Sequence, residues 1–288
     1  MKLVFVGVGG GAPSRWGLPG ILLRRDSFSA IFDCGEGTQI KIIEKGLGIN
    51  VDLIAITHMH ADHVLGVLGL VQTMGLLSRE RELVVLGPSE LKDFLEESFR
   101  RTKFQPNFDL VFRDSYETKE FRITRFPTCH TVESYGYVIE EKERRNLDAD
   151  RLRREGIRDF RVFRELKEGK VVEYNGRLLK PEDYVIVTRG KKVVYTGDTR
   201  PCERVVEASR GADVLIHDST FVYNEEAHEY GHSNVIDAVN DAVKAGVGTL
   251  VLYHYSARYD SVEPLLYEAR RLFRRVVAPQ PLDSLVIQ

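Results

Sequence analysis

The chain is poor in sulfur and in indole: its 288 residues include three cysteines, three methionines and one tryptophan. Cys34, Cys129 and Cys202 are odd in number and far apart, which argues against a disulfide framework and a CxxC metal knot and favours a reducing cytosol. Long apolar runs are also missing. The opening MKLVFVGVGGGAP is broken by glycine after six residues, too short for the apolar region of a secretory signal and far too short to span a bilayer. No membrane role is expected. Nor is there a strong charge imbalance, since a net charge of -2 excludes no class of partner.

What is present is enough apolar material, 43% of residues, for a sizeable core. Short strand-like runs recur at KLVFVG, GILLRR, SAIFDCG, VDLIAITH, RELVVLG, GYVIEE, KKVVYTGD, ADVLIHD and GTLVLYH. Between them, helical patterns follow His63 through VLGVLGLVQTMGLL and occupy SELKDFLEESFRRT and SNVIDAVNDAVKAG, the last with Ser233 as a cap and Gly246 as a stop. The alternation predicts an α/β or sandwich fold over residues 1–288 as a single domain. One segment stands apart, from about residue 140 to 190, where EEKERRNLDADRLRREGIRDFRVFRELKEGK is dense in charge and poor in core pattern. It reads as an inserted arm.

The stretch that carries chemistry is LIAITHMHADH, Leu53 to His63. Here an apolar run ends in His58, His60, Asp62 and His63. In an extended chain His58 and His60 point to one side, and Asp62 and His63 follow at the turn into a helix, so four ligands converge. Imidazole and carboxylate suit zinc, manganese or iron. Further ligand types sit at the ends of other apolar runs: His130 after FRITRFPTC, Asp198 after KKVVYTG and His254 after GTLVLY. Together the seven make enough donors for two divalent metal ions, with Asp198 shared.

THMHADH resembles the HxHxDH signature of the metallo-β-lactamase superfamily, and His130, Asp198 and His254 follow in that superfamily's order. More narrowly, the chain is similar over nearly its whole length to the ribonuclease Z family of tRNA 3′-processing endonucleases. The stretches that carry this are FVGVGGGAPS, IFDCGEGTQIKI, VVYTGDTRP, LIHDSTF, YGHSN and YHYSARYD. The resemblance implies an αββα sandwich with both metals at one edge, His58, His60 and His130 holding one and Asp62, His63 and His254 the other. It implies zinc, with manganese or iron as alternatives, precursor tRNA as substrate, a cytoplasmic setting and a homodimer. Two metals roughly 3.5 to 4 Å apart lower the pKa of a shared water towards about 7, and Asp62 orients it.

Protonation of the leaving group needs another residue. His232 in YGHSN, backed by Asp218 in HDST, supplies an imidazole whose tautomer is set by a carboxylate. The family commonly has glutamate at the position of Asp218 and threonine at that of Asn234, so the carboxylate here is shorter by one methylene. Arg258 in YSARYD suits a bidentate pair with a phosphate next to the scissile one. Arg15 and Trp16, in GGGAPSRWGLPG, suit an RNA backbone or a stacked base. In the charged segment, residues 141–170 hold eleven Lys or Arg against eight Asp or Glu. Arg151, Arg153, Arg154, Arg158, Arg161 and Arg164 are its phosphate-binding candidates, or else lie in i,i+4 pairs such as Asp150 with Arg154. The glycine-proline element usual in the family's tRNA-gripping arm is missing from RDFRVFRELKEG.

Overall fold

Each of the nine apolar runs becomes a strand in the computed structural model, which describes residues 1–223 and 225–288. One seven-stranded sheet has the order Ser284–Val286, Lys2–Gly7, Gly20–Arg25, Phe28–Phe32, Leu53–Ala55, Leu83–Leu86, Leu110–Phe112. Its first pairs are antiparallel, and from Phe28–Phe32 onward they are parallel. The second, also seven-stranded, runs Val276–Val277, Thr249–Tyr253, Val214–Asp218, Lys192–Tyr195, Tyr135–Glu141, Phe121–Pro127, Ser115–Glu117, with its first four strands mutually parallel. Parallel pairing sends the C-terminal ends of neighbouring strands to one edge.

An aromatic layer joins the two sheets. Phe32 meets Tyr137 and Tyr195 edge-on with centroids 5.7 and 6.5 Å apart, and Phe5 lies 6.2 Å from Tyr253. Buried tyrosines need partners for their hydroxyls. Tyr137 donates to the Ile56 carbonyl and Tyr253 to that of Gly7, each at 2.7 Å, while Tyr195 donates to Asp33 Oδ2 at 2.6 Å. Polar satisfaction therefore tethers sheet to sheet.

Helices cover the outer faces. Gly66–Leu76 buries Val67, Leu70, Val71 and Met74 in the core of the first sheet, at the 3.6-residue spacing of one helical face. Val235–Ala245 buries Val235, Ala238, Val239 and Ala242. Its cap is Asn234, not Ser233: Asn234 and Asp237 form a reciprocal capping box, and Gly246 ends the helix at φ 63°. Ser233 instead donates its hydroxyl to the Thr199 carbonyl at 2.7 Å. Helices Thr38–Glu44, Glu203–Ser209 and Glu263–Leu272 add to those expected. Among the described residues no helix is long and apolar enough to cross a membrane.

The expectation of unpaired cysteines is overturned. Cys129 and Cys202 form a disulfide across a sequence separation of 73, and only Cys34 is free, buried and with its thiol pushed up to about 12 by burial. Odd number and wide spacing misled because the two residues belong to loops that the fold, not the sequence, brings together. The argument from cysteine usage to a reducing compartment falls with it.

The chain divides into two compact units, one comprising residues 1–117, 122–139 and 191–288, the other residues 118–121 and 140–190. The second unit has its own core of Leu152, Ile157, Val162, Leu166, Val172, Leu179 and Tyr184. Strand Arg144–Leu147 pairs with Val185–Thr188, and Val172–Tyr174 with Arg177–Leu179. Helices Ala149–Arg154 and Phe160–Lys167 are capped by the side chains of Asp148 and Asp159. Asp150 pairs with Arg153 rather than Arg154, and Arg151 with Glu155. Among the described residues Arg154, Arg158 and Arg161 have no ion-pair partner.

Candidate metal centre

Each candidate ligand lies just beyond the C-terminal end of a strand. His58 follows Leu53–Ala55, His130 follows Phe121–Pro127, Asp198 follows Lys192–Tyr195 and His254 directly follows Thr249–Tyr253. His60 is the cap of the four-residue helix Ala61–Val64, which carries Asp62 and His63. The structure brings all seven together in three groups of potential donors: His58, His60, His130 and Asp198; Asp62, His63 and His254; and Asp198 and His254 with His232. Asp198 Oδ2 links them, lying 3.6 Å from His58 Nε2, 3.4 Å from His63 Nε2 and 3.3 Å from His254 Nε2.

The hydrogen-bond network settles which nitrogen of each imidazole is free. His130 Nδ1 lies 2.8 Å from the Gly231 carbonyl, which can only accept, so the proton is on Nδ1 and Nε2 carries the lone pair. His63 Nδ1 donates in the same way to Asp33 Oδ2 at 2.8 Å. Two threonines extend the logic. The Thr57 hydroxyl donates to the Asp33 carboxylate at 3.0 Å, so its oxygen accepts from His58 Nδ1 at 2.9 Å. The Thr220 hydroxyl donates to Asp218 Oδ1 at 2.7 Å and accepts from His254 Nδ1 at 2.9 Å. Four Nε2 lone pairs are thereby aimed inward. His60 differs, presenting Nδ1 at 3.0 Å from His58 Nε2 and 3.2 Å from His130 Nε2.

Opposed lone pairs repel unless a cation lies between them, and Asp198 Oδ1 is a buried acceptor with no hydrogen-bond partner. Both features fit divalent metals. Burial lowers the pKa of His58, His60 and His130, which keeps them neutral and their lone pairs available. His63 is pushed the other way: burial opposes its charge, but Asp198 and Asp33 outweigh it. A bound cation competes for the place of that proton. Asp62 and Asp198 are lowered despite burial by the histidines around them.

Backbone features support the ligands at their own cost. His254 has φ 67° and Asp33 φ 53°, left-handed conformations that non-glycine residues adopt rarely. A Cβ on Gly10 would collide with the His254 ring, and the Gly11 amide donates to Asp62 Oδ2 at 2.7 Å. Within GVGGG, Gly10 thus serves close approach to a candidate ligand, while Gly7 and Gly9 lie against Leu18 and Trp16.

Beside the cluster, His232 Nδ1 lies 2.9 Å from Asp218 Oδ2, so the shorter carboxylate reaches its partner. Burial resists charging His232, but Asp218 outweighs it and holds the imidazole at about 9. The Thr199 amide donates to the same Asp218 oxygen at 3.0 Å. Arg258 is exposed, with its guanidinium 4.6 Å from the centre of the Phe221 ring. Arg15 is exposed and donates to the Asp260 carbonyl at 3.0 Å. Trp16 is only 3% exposed and donates its indole N–H to the Tyr259 carbonyl, so it packs and offers no face to a base.

Sequence reasoning missed Asp33, Thr57, Thr199 and Thr220. Asp33 was open to the strand-end argument that found Asp198, since it follows SAIF directly; the threonines leave no comparable signal.

Residues 181–255 match the family model described as beta-lactamase superfamily domain, and residues 1–153 that of the anti-Pycsar protein Apyc1. The chain is 52% identical over 289 residues to "Ribonuclease Z" of Sulfurisphaera tokodaii, covering 100% of this chain and 99% of that one. It is 54% identical over 286 residues to "Ribonuclease Z" of Metallosphaera sedula, covering 99% and 98%. Among solved structures, human tRNase Z, short form, superposes with TM-score 0.72 at 22% identity over 100% of both chains. The metallo-beta-lactamase fold protein YhfI from Bacillus subtilis gives 0.70 at 21% over 99% and 98%. With half of its residues shared end to end, on this fold and around this cluster of donors, the chain belongs to the ribonuclease Z family of the metallo-β-lactamase superfamily.

Proposed function

We propose that the chain is a zinc-dependent endoribonuclease that removes the 3′ trailer from precursor tRNA, leaving a 3′ hydroxyl on the tRNA. The observation that carries this is the pair of donor groups joined by Asp198, which lies 3.4 Å from His63 and 3.3 Å from His254, beside the His232–Asp218 pair, in a chain related over its full length to ribonucleases Z. His58, His60 and His130 would hold one ion and Asp62, His63 and His254 the other, with Asp198 available to both. When bound, two such ions would lower the pKa of a water near them and neutralise charge on the phosphoryl oxygens.

The rest of the chemistry belongs to the chain. Asp62, fixed by the Gly11 amide, orients the attacking water. His232 holds a proton on Nε2, because Nδ1 is committed to Asp218, and passes it to the 3′ oxygen as the phosphorus–oxygen bond breaks. Asp218 holds the His232 pKa at about 9, and bound dications would lower it towards the range where a general acid works best. Arg258, with no carboxylate partner among the described residues, pairs with the phosphate next to the scissile one, and Arg15 contacts the RNA backbone.

The second unit supplies the tRNA contact through Arg154, Arg158 and Arg161, whose charge is uncompensated. The enzyme acts in the cytoplasm as a homodimer. A disulfide is unusual in that compartment except in hyperthermophiles. A second reading, a two-metal hydrolase of small phosphodiesters, is favoured by the fact that every residue assigned to metal binding or proton transfer lies in the first unit.

One experiment separates the two: cleavage of precursor tRNA and of bis(p-nitrophenyl) phosphate, by the parent and by a variant with Arg154, Arg158 and Arg161 changed to Ala. The expected variant binds precursor tRNA more weakly, with a salt slope shallower by roughly 0.7 to 0.9 per lost phosphate contact. Its phosphodiester hydrolysis keeps the parental rate. Turnover of the small substrate without trailer release would select the second reading.

A further inference from the structure

Phe221 is a buried ring that no step above uses, and it touches two residues that matter. The Arg258 guanidinium lies over it at 4.6 Å from the ring centre. The His232 imidazole meets it at 6.4 Å between centroids and 74° between planes. The backbone that carries the ring is pinned. The Phe221 carbonyl accepts from the Val235 amide at 2.9 Å, and Phe221 forms a β-bridge with Asn234, the cap of the helix that follows His232.

The loop that carries Arg258 is braced against the same segment. The Ser256 amide donates to the Thr220 carbonyl at 3.1 Å, and the Val222 amide to the Tyr259 hydroxyl at 3.0 Å. From the other side, buried Trp16 holds the Tyr259 carbonyl at 2.7 Å and Arg15 that of Asp260 at 3.0 Å. A long cation on an exposed loop samples many rotamers, and fixing it costs entropy at the moment of binding. Stacking on an aromatic face removes part of that cost beforehand.

We infer that Phe221 is a positioning residue: it presents the Arg258 guanidinium to the phosphate next to the scissile one, at a fixed place relative to His232. The inference rests on the reading of Arg258 as a phosphate ligand. Phe221 touches no reacting atom, and the role assigned to it runs through Arg258 rather than through its edge contact with His232. Its effect belongs to substrates long enough to carry that neighbouring phosphate.

The test uses precursor tRNA in which either phosphate flanking the scissile one is replaced by an uncharged methylphosphonate. In the parent, neutralising the recognised phosphate lowers kcat/KM by about 10- to 100-fold, the scale of a charge-assisted contact. Arg258→Ala abolishes that penalty. Phe221→Leu, which keeps apolar volume and removes the ring face, lowers kcat/KM roughly two- to fivefold and shrinks the penalty, and adds nothing further when combined with Arg258→Ala. Pentafluorophenylalanine placed at position 221 keeps the ring's shape, removes the negative face and gives the same shift should the leucine variant fold poorly.

If neither methylphosphonate affects the parent and Arg258→Ala is neutral, the reading of Arg258 fails. If Arg258→Ala removes the penalty but both changes at position 221 leave it at the parental size, or their losses add fully to that of Arg258→Ala, the role assigned to Phe221 is overturned.

Discussion

His63 and Asp33 are both fully buried, and His63 Nδ1 donates to Asp33 Oδ2 across 2.8 Å. The same carboxylate accepts from the Thr57 amide, the Thr57 hydroxyl and the Tyr195 hydroxyl. A single group therefore sets the tautomer of His63 directly and that of His58 through Thr57. These histidines fall in different donor groups, so Asp33 governs both.

Replacing Asp33 with Asn removes the charge and leaves one oxygen where two accept. Loss of such a supporting partner typically costs about 10- to 100-fold in metal affinity or activity. Zinc content during competition with a chelator should show both sites weakened. Loss at the His63 site alone would mean that Thr57 does not transmit the effect to His58.

Asp62→Ala and His232→Ala should part company. The first removes a ligand, so metal content and turnover fall together. The second should keep both metals and bind precursor tRNA as the parent does, yet lose roughly 10² to 10⁴ in turnover. Because p-nitrophenolate leaves without help from an acid, the defect should shrink on bis(p-nitrophenyl) phosphate. Equal impairment on both substrates would remove His232 from the acid role.

The Cys129–Cys202 disulfide joins the loop that holds His130 to the loop that holds Asp198. The Arg200 amide also donates to the Cys129 carbonyl at 2.9 Å. Closing a loop with a sequence separation of 73 is worth about 4 kcal/mol by chain-entropy reasoning. Changing both cysteines to serine should lower the urea midpoint under oxidising conditions, and reductant should bring the parent down to the same value. Coincident midpoints without reductant would mean that the thiols do not pair.

His217, fully buried, offers a signature in pH. Its charged form is disfavoured by burial but held by Asp241, 3.3 Å away, and the balance raises its pKa above 6.5. A raised folded-state value means stability that is fully present below about 6.5 and lost as pH rises through the folded value. The stability gap between the parent and His217→Asn should accordingly be wider at pH 6 than at pH 10. A gap that grows with alkalinity would show that the imidazole is buried neutral.

The clustering of the candidate ligands was legible because chemistry and position coincided. THMHADH packs donors at the end of an apolar run, and His130, Asp198 and His254 repeat that placement at other strand ends. Its supporting layer was not. A threonine that relays a carboxylate's influence to a histidine depends on contacts between neighbouring strands, and whether Trp16 packs or binds is open in the sequence until its indole N–H is found on the Tyr259 carbonyl. Cys129 and Cys202 are invisible as partners for the same reason. The small core at residues 140–190 hid behind dense charge, since Leu152, Ile157, Val162 and Leu166 are spaced through runs of arginine and glutamate.

Tyr135–Glu141 and Lys192–Tyr195, which flank that segment in the chain, are neighbours in the sheet. Whatever lies between them leaves from one strand and returns to the next, so a change in its length alters no register elsewhere. Such a junction behaves as a cassette: the intervening residues can diverge or be exchanged between relatives at a pace of their own, while the strands that carry His130 and Asp198 stay in step. If that segment contacts tRNA as proposed, substrate preference is thereby free to evolve separately from hydrolytic chemistry.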